Sequence, residues 1–273
     1  MVTPADDYIM GRTSAEYQRL RAQAEVWEEA TRRVLLKAGL HEGMSCLDIG
    51  CGPGEVMRIM GEIVGPDGFV TGVDVDGNIG REALDVLRAT ASGQYAFHEI
   101  DVDSSDRVPG SPFDVAFARI TLVHLKEPVA LLRNMMRWTK PGGVIVVQEH
   151  DFNSWETYPK LDEMVEAIQT FRTVAERAGH DTRLGFRLPA YFMEAGLGAP
   201  DGTDVTALLK ELAVAGRMTQ AVYESIFPMA QKLGIADEAS RARVLAAIDD
   251  AIRAGGSYAL SPLLISAWKC RPL

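Results

Sequence analysis

The sequence predicts an α/β fold: a doubly wound, mostly parallel sheet with helical cap insertions. Three observations carry that prediction. Short apolar runs alternate with helix-periodic stretches from residue 44 to residue 148, the rhythm of strand–helix–strand units. The first of those runs breaks off in a cluster of glycines, as a buried strand does when it turns into a helix. After residue 150 the rhythm stops, and amphipathic segments of helix length accumulate instead.

The elements follow in order. Thr13 and Glu16 have the spacing of a capping box. Tyr17, Leu20, Ala24, Trp27, Val34, Leu35 and Ala38 then recur at helical spacing, and Gly39 closes the stretch. This predicts one long helix or two broken ones over 13–38, preceded by an irregular arm over 1–12. Met44 to Ile49 reads as the first strand and 54–64 as a helix, with Gly65, Pro66, Asp67 and Gly68 as a turn. Phe69 to Asp74 is the second strand, 79–91 a helix, Tyr95 to Asp101 the third strand and Phe113 to Ala118 the fourth. A helix over 127–139 leads through Pro141, Gly142 and Gly143 into a fifth strand, Val144 to Gln148.

Beyond the fifth strand, Pro159 stands where a helix can start, and an amphipathic stretch runs to Gly179. A short helix is expected from Pro189 to Ala195, and two more over about 218–233 and 237–254. Residues 203–213 suit helix by propensity and strand by position. Ser257 to Cys270 reads as a late strand, with Pro262 marking an edge or a bulge. The expected organisation is an arm and lid helix over 1–40, a Rossmann-like core over 41–151, helical caps over 152–256 with a candidate core strand near 203–213, and a terminal core strand over 257–273.

Composition narrows the function. With 273 residues and 47% hydrophobic content the chain can bury a large core. Its 28 basic and 38 acidic residues leave a net charge of −10, which argues against nucleic acid and anionic membrane partners. Cys46, Cys51 and Cys270 form neither a disulfide framework nor a zinc spacing. The N-terminus lacks the pattern of a signal peptide, and no apolar run approaches the ~18 residues of a membrane span. A cytoplasmic protein with reduced thiols is the expectation.

The chemistry concentrates where the first strand ends. Asp48 and Ile49 run into Gly50, Cys51, Gly52, Pro53 and Gly54. Alternate glycines let backbone approach a ligand closely, and the next helix offers its N-terminal N–H groups. A dinucleotide site wants glycine where Glu55 stands, and a carboxylate there repels a pyrophosphate. Twenty residues after Gly54, Asp74 ends the second strand, where an acid can accept from both ribose hydroxyls. Asp101 and the Val102 N–H are placed to meet an adenine. An adenosine-containing ligand without phosphate fits this set.

At this point the sequence resembles the class I S-adenosylmethionine-dependent methyltransferases. The resemblance rests on LDIGCGPGE, VTGVD, HEIDV and KPGGVIVVQE, and it covers residues 30–151. The stretch YIMGRTSAEYQRLRAQAEVWEE is similar to a bacterial small-molecule branch, in which an N-terminal tyrosine and a first-helix glutamine help enclose the cofactor. Tyr8 and Gln23 match those positions. FARITLVHL resembles that branch's loop after strand four, with Arg119 in place, and GFRLPAYFMEAGL resembles a later helix.

The resemblance implies S-adenosyl-L-methionine as cofactor, bound by Tyr8, Gln23, Asp48, Gly50, Cys51, Gly52, Gly54, Asp74, Val75, Asn78, Asp101, Val102 and Arg119. Several of these keep a plainer reading. Asp48 suits either contact with the cofactor amino group or bracing of the loop. Cys51 suits a small neutral filler, Asn78 a helix cap and Gln23 a polar helix face. Asp76 and Asp103 read as exposed turn acids. Arg119 can pair with the cofactor carboxylate, with Asp48 or with an acidic substrate.

His124 and His150 are the candidate proton acceptors, because His150 and Asp151 end the fifth strand, where open α/β sheets bind ligands. Glu149, His150 and Asp151 are adjacent strand residues facing alternate sides, so no metal site is expected. The expected activity is in-line methyl transfer, without a metal, to a small-molecule acceptor of the secondary-metabolite kind. The alternatives are a cyclase or other non-methylating enzyme that keeps the cofactor pocket and, against Glu55, a nicotinamide dehydrogenase. Homo-oligomerisation stays open.

Overall fold

A computed structural model describes residues 14–91 and 93–273. Two helices open it, α1 (Ser14–Val26) and α2 (Glu28–Lys37), broken at Trp27, which is buried. Thr13, the cap of the capping box expected with Glu16, lies outside the described residues, as does the arm. Then come β1 (Ser45–Ile49), α3 (Glu55–Val64), β2 (Phe69–Asp74), α4 (Gly77–Thr90), β3 (Gln94–Glu99), β4 (Phe113–Arg119), α5 (Pro128–Trp138) and β5 (Thr139–Asp151).

These strands join in the order β3-β2-β1-β4-β5, each adjacent pair parallel. Two later strands, β10 (Leu263–Cys270) and β7 (Gly202–Thr206), extend the sheet beyond β5 to seven strands. Gly142 donates to Arg271 O at 2.9 Å and Arg271 donates to Gly143 O at 2.7 Å, so the start of β5 meets the end of β10 and the two run antiparallel.

Register shows what covers this sheet. Cys46, Val70, Val115, Phe117 and Val146 share one face and pack into a buried cluster with Val34 and Leu35 of α2 and Val56, Met57 and Met60 of α3. The alternate residues Leu47, Ile49, Ala116, Ala118, Ile145 and Val147 are buried as well. The strands are therefore covered on both faces, which is why they read as continuous apolar runs. Strand order reverses between β1 and β4, so the carboxyl ends of those strands bound the crevice where open α/β sheets bind ligands.

Residues Leu20–Glu149, Leu184–Val205 and Ile265–Leu273 form one compact unit. The other comprises 14–19, His150–Arg183 and Thr206–Leu264. In it, α6 (Asp162–Arg177), α8 (Leu212–Lys232) and α9 (Glu238–Ala254) bury Met164, Phe171, Val174, Ile226, Val244 and Ile248 together. A three-stranded antiparallel sheet, β6 (Glu156–Tyr158), β9 (Tyr258–Leu260) and β8 (Leu209–Glu211), packs Ala259 into that cluster.

The C-terminal expectations need correction. The helix expected from Pro159 starts at Asp162, because a short strand precedes it. The helix expected at Pro189 is α7 (Leu184–Glu194), in which Leu184 and Leu188 are buried ahead of the proline. Residues 184–205 group with the large sheet and not with the caps expected over 152–256. The ambiguous 203–213 run divides into β7, β8 and the start of α8. Pro262 separates β9 from β10 and so splits the expected 257–270 strand between two sheets. Strand β3 ends at Glu99, which leaves Asp101 two residues beyond it.

Phe117 is fully buried in the middle of β4. Phe117→Ala should lower the unfolding free energy by about 3–5 kcal/mol in a denaturant titration.

Candidate cofactor and catalytic site

The site begins with the backbone that leaves β1. Gly50, Gly52 and Gly54 all have positive φ, at 67°, 47° and 82°. Side chains rarely tolerate that region. The amides of Gly50 and Cys51 both donate to Val73 O of β2, at 2.8 and 3.0 Å. The Gly52 amide donates to Asp74 Oδ2 at 2.9 Å, and Asp74 Oδ1 accepts from the Asp76 amide at 2.9 Å. Asp74 therefore braces the glycine loop with one oxygen and its own turn with the other.

The neighbours of Asp74 separate into roles. Val75 is exposed. Asp76, expected to be an exposed turn acid, is half-buried as the N-cap of α4 and accepts from the amides of Asn78 and Ile79. Asn78 is thus capped rather than capping, and its Oδ1 accepts from Arg81 Nη2 at 2.9 Å. Asp101 opens the turn after β3, where its Oδ1 accepts from the Asp103 amide and its Oδ2 from Ser104 Oγ. Val102 is buried beside it. Cys51 is also buried, and burial pushes its thiol well above the usual range. That leaves it a neutral filler.

Beneath the loop lie two buried carboxyls. Asp48 is 2% exposed, and its Oδ2 has no hydrogen-bond partner. Burial pushes its carboxyl up to about 7, against the pull of Arg119. Glu149, near the end of β5, is fully buried, and burial pushes it up to about 8. Register places Asp48 level with Phe117 of β4, which pairs with Val146 of β5. Asp48, Arg119 and Gln148 therefore share one face of the sheet.

On that face Arg119 Nη1 donates to Thr31 Oγ1 at 2.9 Å. Thr31 Oγ1 donates to Gln148 Oε1 at 2.8 Å, and Gln148 Nε2 donates to Ser266 Oγ at 2.9 Å. Burial lowers the Arg119 guanidinium to about 10, opposed by Asp48, so it remains a cation at neutral pH. Thr31, Gln148 and Ser266 escaped the sequence reading because each looks like an ordinary helix or strand residue. Only their convergence on Arg119 reveals them.

His124 ends the single 3-10 turn Leu122–His124 after β4 and is half-buried. His150 is 5% exposed. Its ring lies 5.3 Å from that of Phe152, edge to face, and its Nδ1 is 3.4 Å from Leu263 O. His124 belongs to the unit with the glycine loop and His150 to the other. Gln23 is half-buried on α1, and Tyr8 lies outside the described residues. Among the described residues no three His, Cys, Asp or Glu side chains form a group able to hold a metal. No described helix is long and apolar enough to cross a membrane.

A family model described as a methyltransferase domain matches residues 17–189. Phosphoethanolamine N-methyltransferase 1 of Arabidopsis thaliana is 31% identical over 122 residues, which are 45% of this chain and 24% of that protein. Demethylmenaquinone methyltransferase of Staphylococcus aureus is 28% identical over 162 residues, or 57% of this chain and 63% of that protein. The chain thus spans less than two thirds of the length of either relative. Among solved structures, phosphoethanolamine N-methyltransferase 2 of Haemonchus contortus, in complex with phosphomonomethylethanolamine and S-adenosylhomocysteine, superposes with a TM-score of 0.57 at 17% identity. That match covers 100% of this chain and 61% of that one. The YcgJ protein of Bacillus subtilis gives 0.55 at 18% identity, covering 89% and 99%. These structural likenesses show the fold.

The two raised carboxyls set a pH dependence. Each binds its proton more firmly in the folded chain than in the unfolded one, so its stabilising effect is complete below about pH 4. That effect is lost as pH rises through about 7 for Asp48 and about 8 for Glu149. The thermal midpoint should therefore decline from about pH 5 to about pH 8 by a smaller amount in Asp48→Asn and in Glu149→Gln than in the wild type. Identical declines in all three proteins would contradict the burial of these acids.

Proposed function

We propose that this chain, which belongs to the methyltransferase-domain family, transfers the methyl group of S-adenosylmethionine to a small-molecule acceptor. One observation carries the reading: Asp74, at the end of β2, accepts from the Gly52 amide and so sets a carboxylate against the glycine loop. The residues present fit the cofactor. Asp74 suits a ribose diol, and Asp101 with the Val102 amide suits an adenine edge. The orphaned Oδ2 of buried Asp48 suits an ammonium group, and the Arg119 fork suits a carboxylate. Glu55, paired with Arg58 at the start of α3, disfavours a phosphate there.

When bound, the cofactor supplies a methyl group already activated by its sulfonium charge. The protein's part is to orient the acceptor in line, exclude water and take up a proton where the acceptor has one to lose. His124 and His150 are the side chains assigned to that proton. The net charge of −10 supports a small molecule over a nucleic acid as acceptor. The names of the relatives point the same way, towards a small amine or a quinone.

Two measurements test the reading. Titration calorimetry with S-adenosylhomocysteine should give micromolar binding. Asp74→Ala should weaken it by roughly 1–3 kcal/mol, since hydroxyls and the Gly52 amide lose their acceptor together. Unchanged affinity would overturn the ribose assignment. In a screen of small amines, phenols and quinones with methyl-labelled cofactor, turnover should survive chelation of divalent metals. Activity lost to chelator and restored by magnesium would overturn metal-free transfer.

A further inference from the structure

The loop after β4 poses a problem that the sequence hides. Ile120 has φ 52°, a conformation that a β-branched residue adopts at a cost of about 1–3 kcal/mol. The next two amides, of Thr121 and Leu122, open the 3-10 turn that ends at His124, so they lack partners inside it. Both donate to one atom, Glu149 Oε1, at 2.9 and 2.7 Å. Glu149 is fully buried, and its Oε2 has no hydrogen-bond partner.

The loop reaches the glycine turn through Thr121. Its Oγ1 donates to Ile49 O, the last carbonyl of β1, at 3.0 Å. Its side chain also occupies the space of a missing Cβ, because a methyl group on Gly50 would lie 2.5 Å from Thr121 Oγ1 and 2.8 Å from Cγ2. One carboxyl on β5 thus holds the backbone after β4, and that backbone sets Thr121 against the first glycine of the loop after β1. The mechanism above makes no use of Glu149.

We infer that Glu149 is the positioning residue of the site: by clamping the Thr121 and Leu122 amides, it holds Thr121 as the floor of the glycine loop and fixes the turn that carries His124. The clamp needs an acceptor oxygen at Oε1 and does not need a negative charge. A carboxyl so deeply buried carries its proton near neutral pH, and the amide of glutamine reproduces it. The link to cofactor affinity rests on the reading in the previous subsection, whereas the clamp itself does not.

The test compares Glu149→Ala with Glu149→Gln. Amide hydrogen exchange at Thr121 and Leu122 should accelerate by about 100-fold or more in the alanine variant while β1 and β4 keep their protection, and stay near the wild-type rate in the glutamine variant. S-adenosylhomocysteine should bind about tenfold more weakly to the alanine variant and return to within about threefold of wild type with glutamine. Protected amides in Glu149→Ala, or a glutamine variant as loosened as the alanine one, would overturn the clamp. Loosened amides with unchanged affinity would overturn the coupling to the glycine loop. If the alanine variant does not fold, Glu149→Asp replaces it, since the shorter side chain withdraws Oε1 and should accelerate the same two amides. A wild-type protein that fails to bind S-adenosylhomocysteine would sink the cofactor reading, and the exchange rates would still decide the clamp.

Discussion

The turn out of β1 depends on hydrogen bonds that the chain makes to its neighbour β2. Three glycines within five residues hold positive φ, where an L-residue pays about 1–2 kcal/mol in steric strain. The turn is held in that form by Val73 O, which takes the first two amides, and by Asp74, which takes the Gly52 amide. A strand paired in parallel with β2 over five residues brings these groups into reach without any adjustment. The acid that ends β2 therefore also shapes the loop that leaves β1. A single residue at the end of β2 ties the loop after β1 to the turn after β2.

A second constraint follows from burying the sheet on both faces. Polar side chains near the strand ends must find partners inside the protein, because an unsatisfied buried group costs roughly 1–3 kcal/mol. One face resolves this with a directional chain from Arg119 through Thr31 and Gln148 to Ser266, drawing on a helix and three strands. On that face Asp48 keeps one oxygen without a partner, and near Thr121 Glu149 does the same. Such groups are tolerated where they serve a ligand or hold a strained turn. Asp48 lies near the end of β1, just ahead of Gly50, and Glu149 near the end of β5, bonded to the two amides that follow Ile120.

Within the other unit, an aromatic series leads away from His150. Phe152 stands 4.7 Å from Phe171, and Trp155 stands 6.1 Å from it, ring centre to ring centre. Asp151, next to His150, caps the short turn at Phe152 and lies 3.9 Å from Arg183. The end of β5 thus carries aromatic and polar side chains with defined partners. Phe171 is buried in the α6 cluster, and Phe152 and Trp155 pack against that cluster part-buried.

What the sequence determined by itself was local or periodic. Buried strands, the glycine turn, the Asp74 spacing and the stops at Gly39 and Gly65 each follow from a few consecutive residues, whose sterics and hydrogen bonding act over one or two turns of chain. Tertiary structure decided the rest. Residues 203–213 have no period of their own, and three different neighbours claim them: a sheet edge, a small antiparallel sheet and a helix. Pro262 reads alike as a bulge or as a break until two sheets compete for its flanks. Thr31, Gln148, Thr121 and Glu149 look unremarkable one by one, since each acquires its role from a partner 27 to 118 residues away. Buried hydrogen bonds pair groups by their position in space, and a linear pattern holds no record of that pairing.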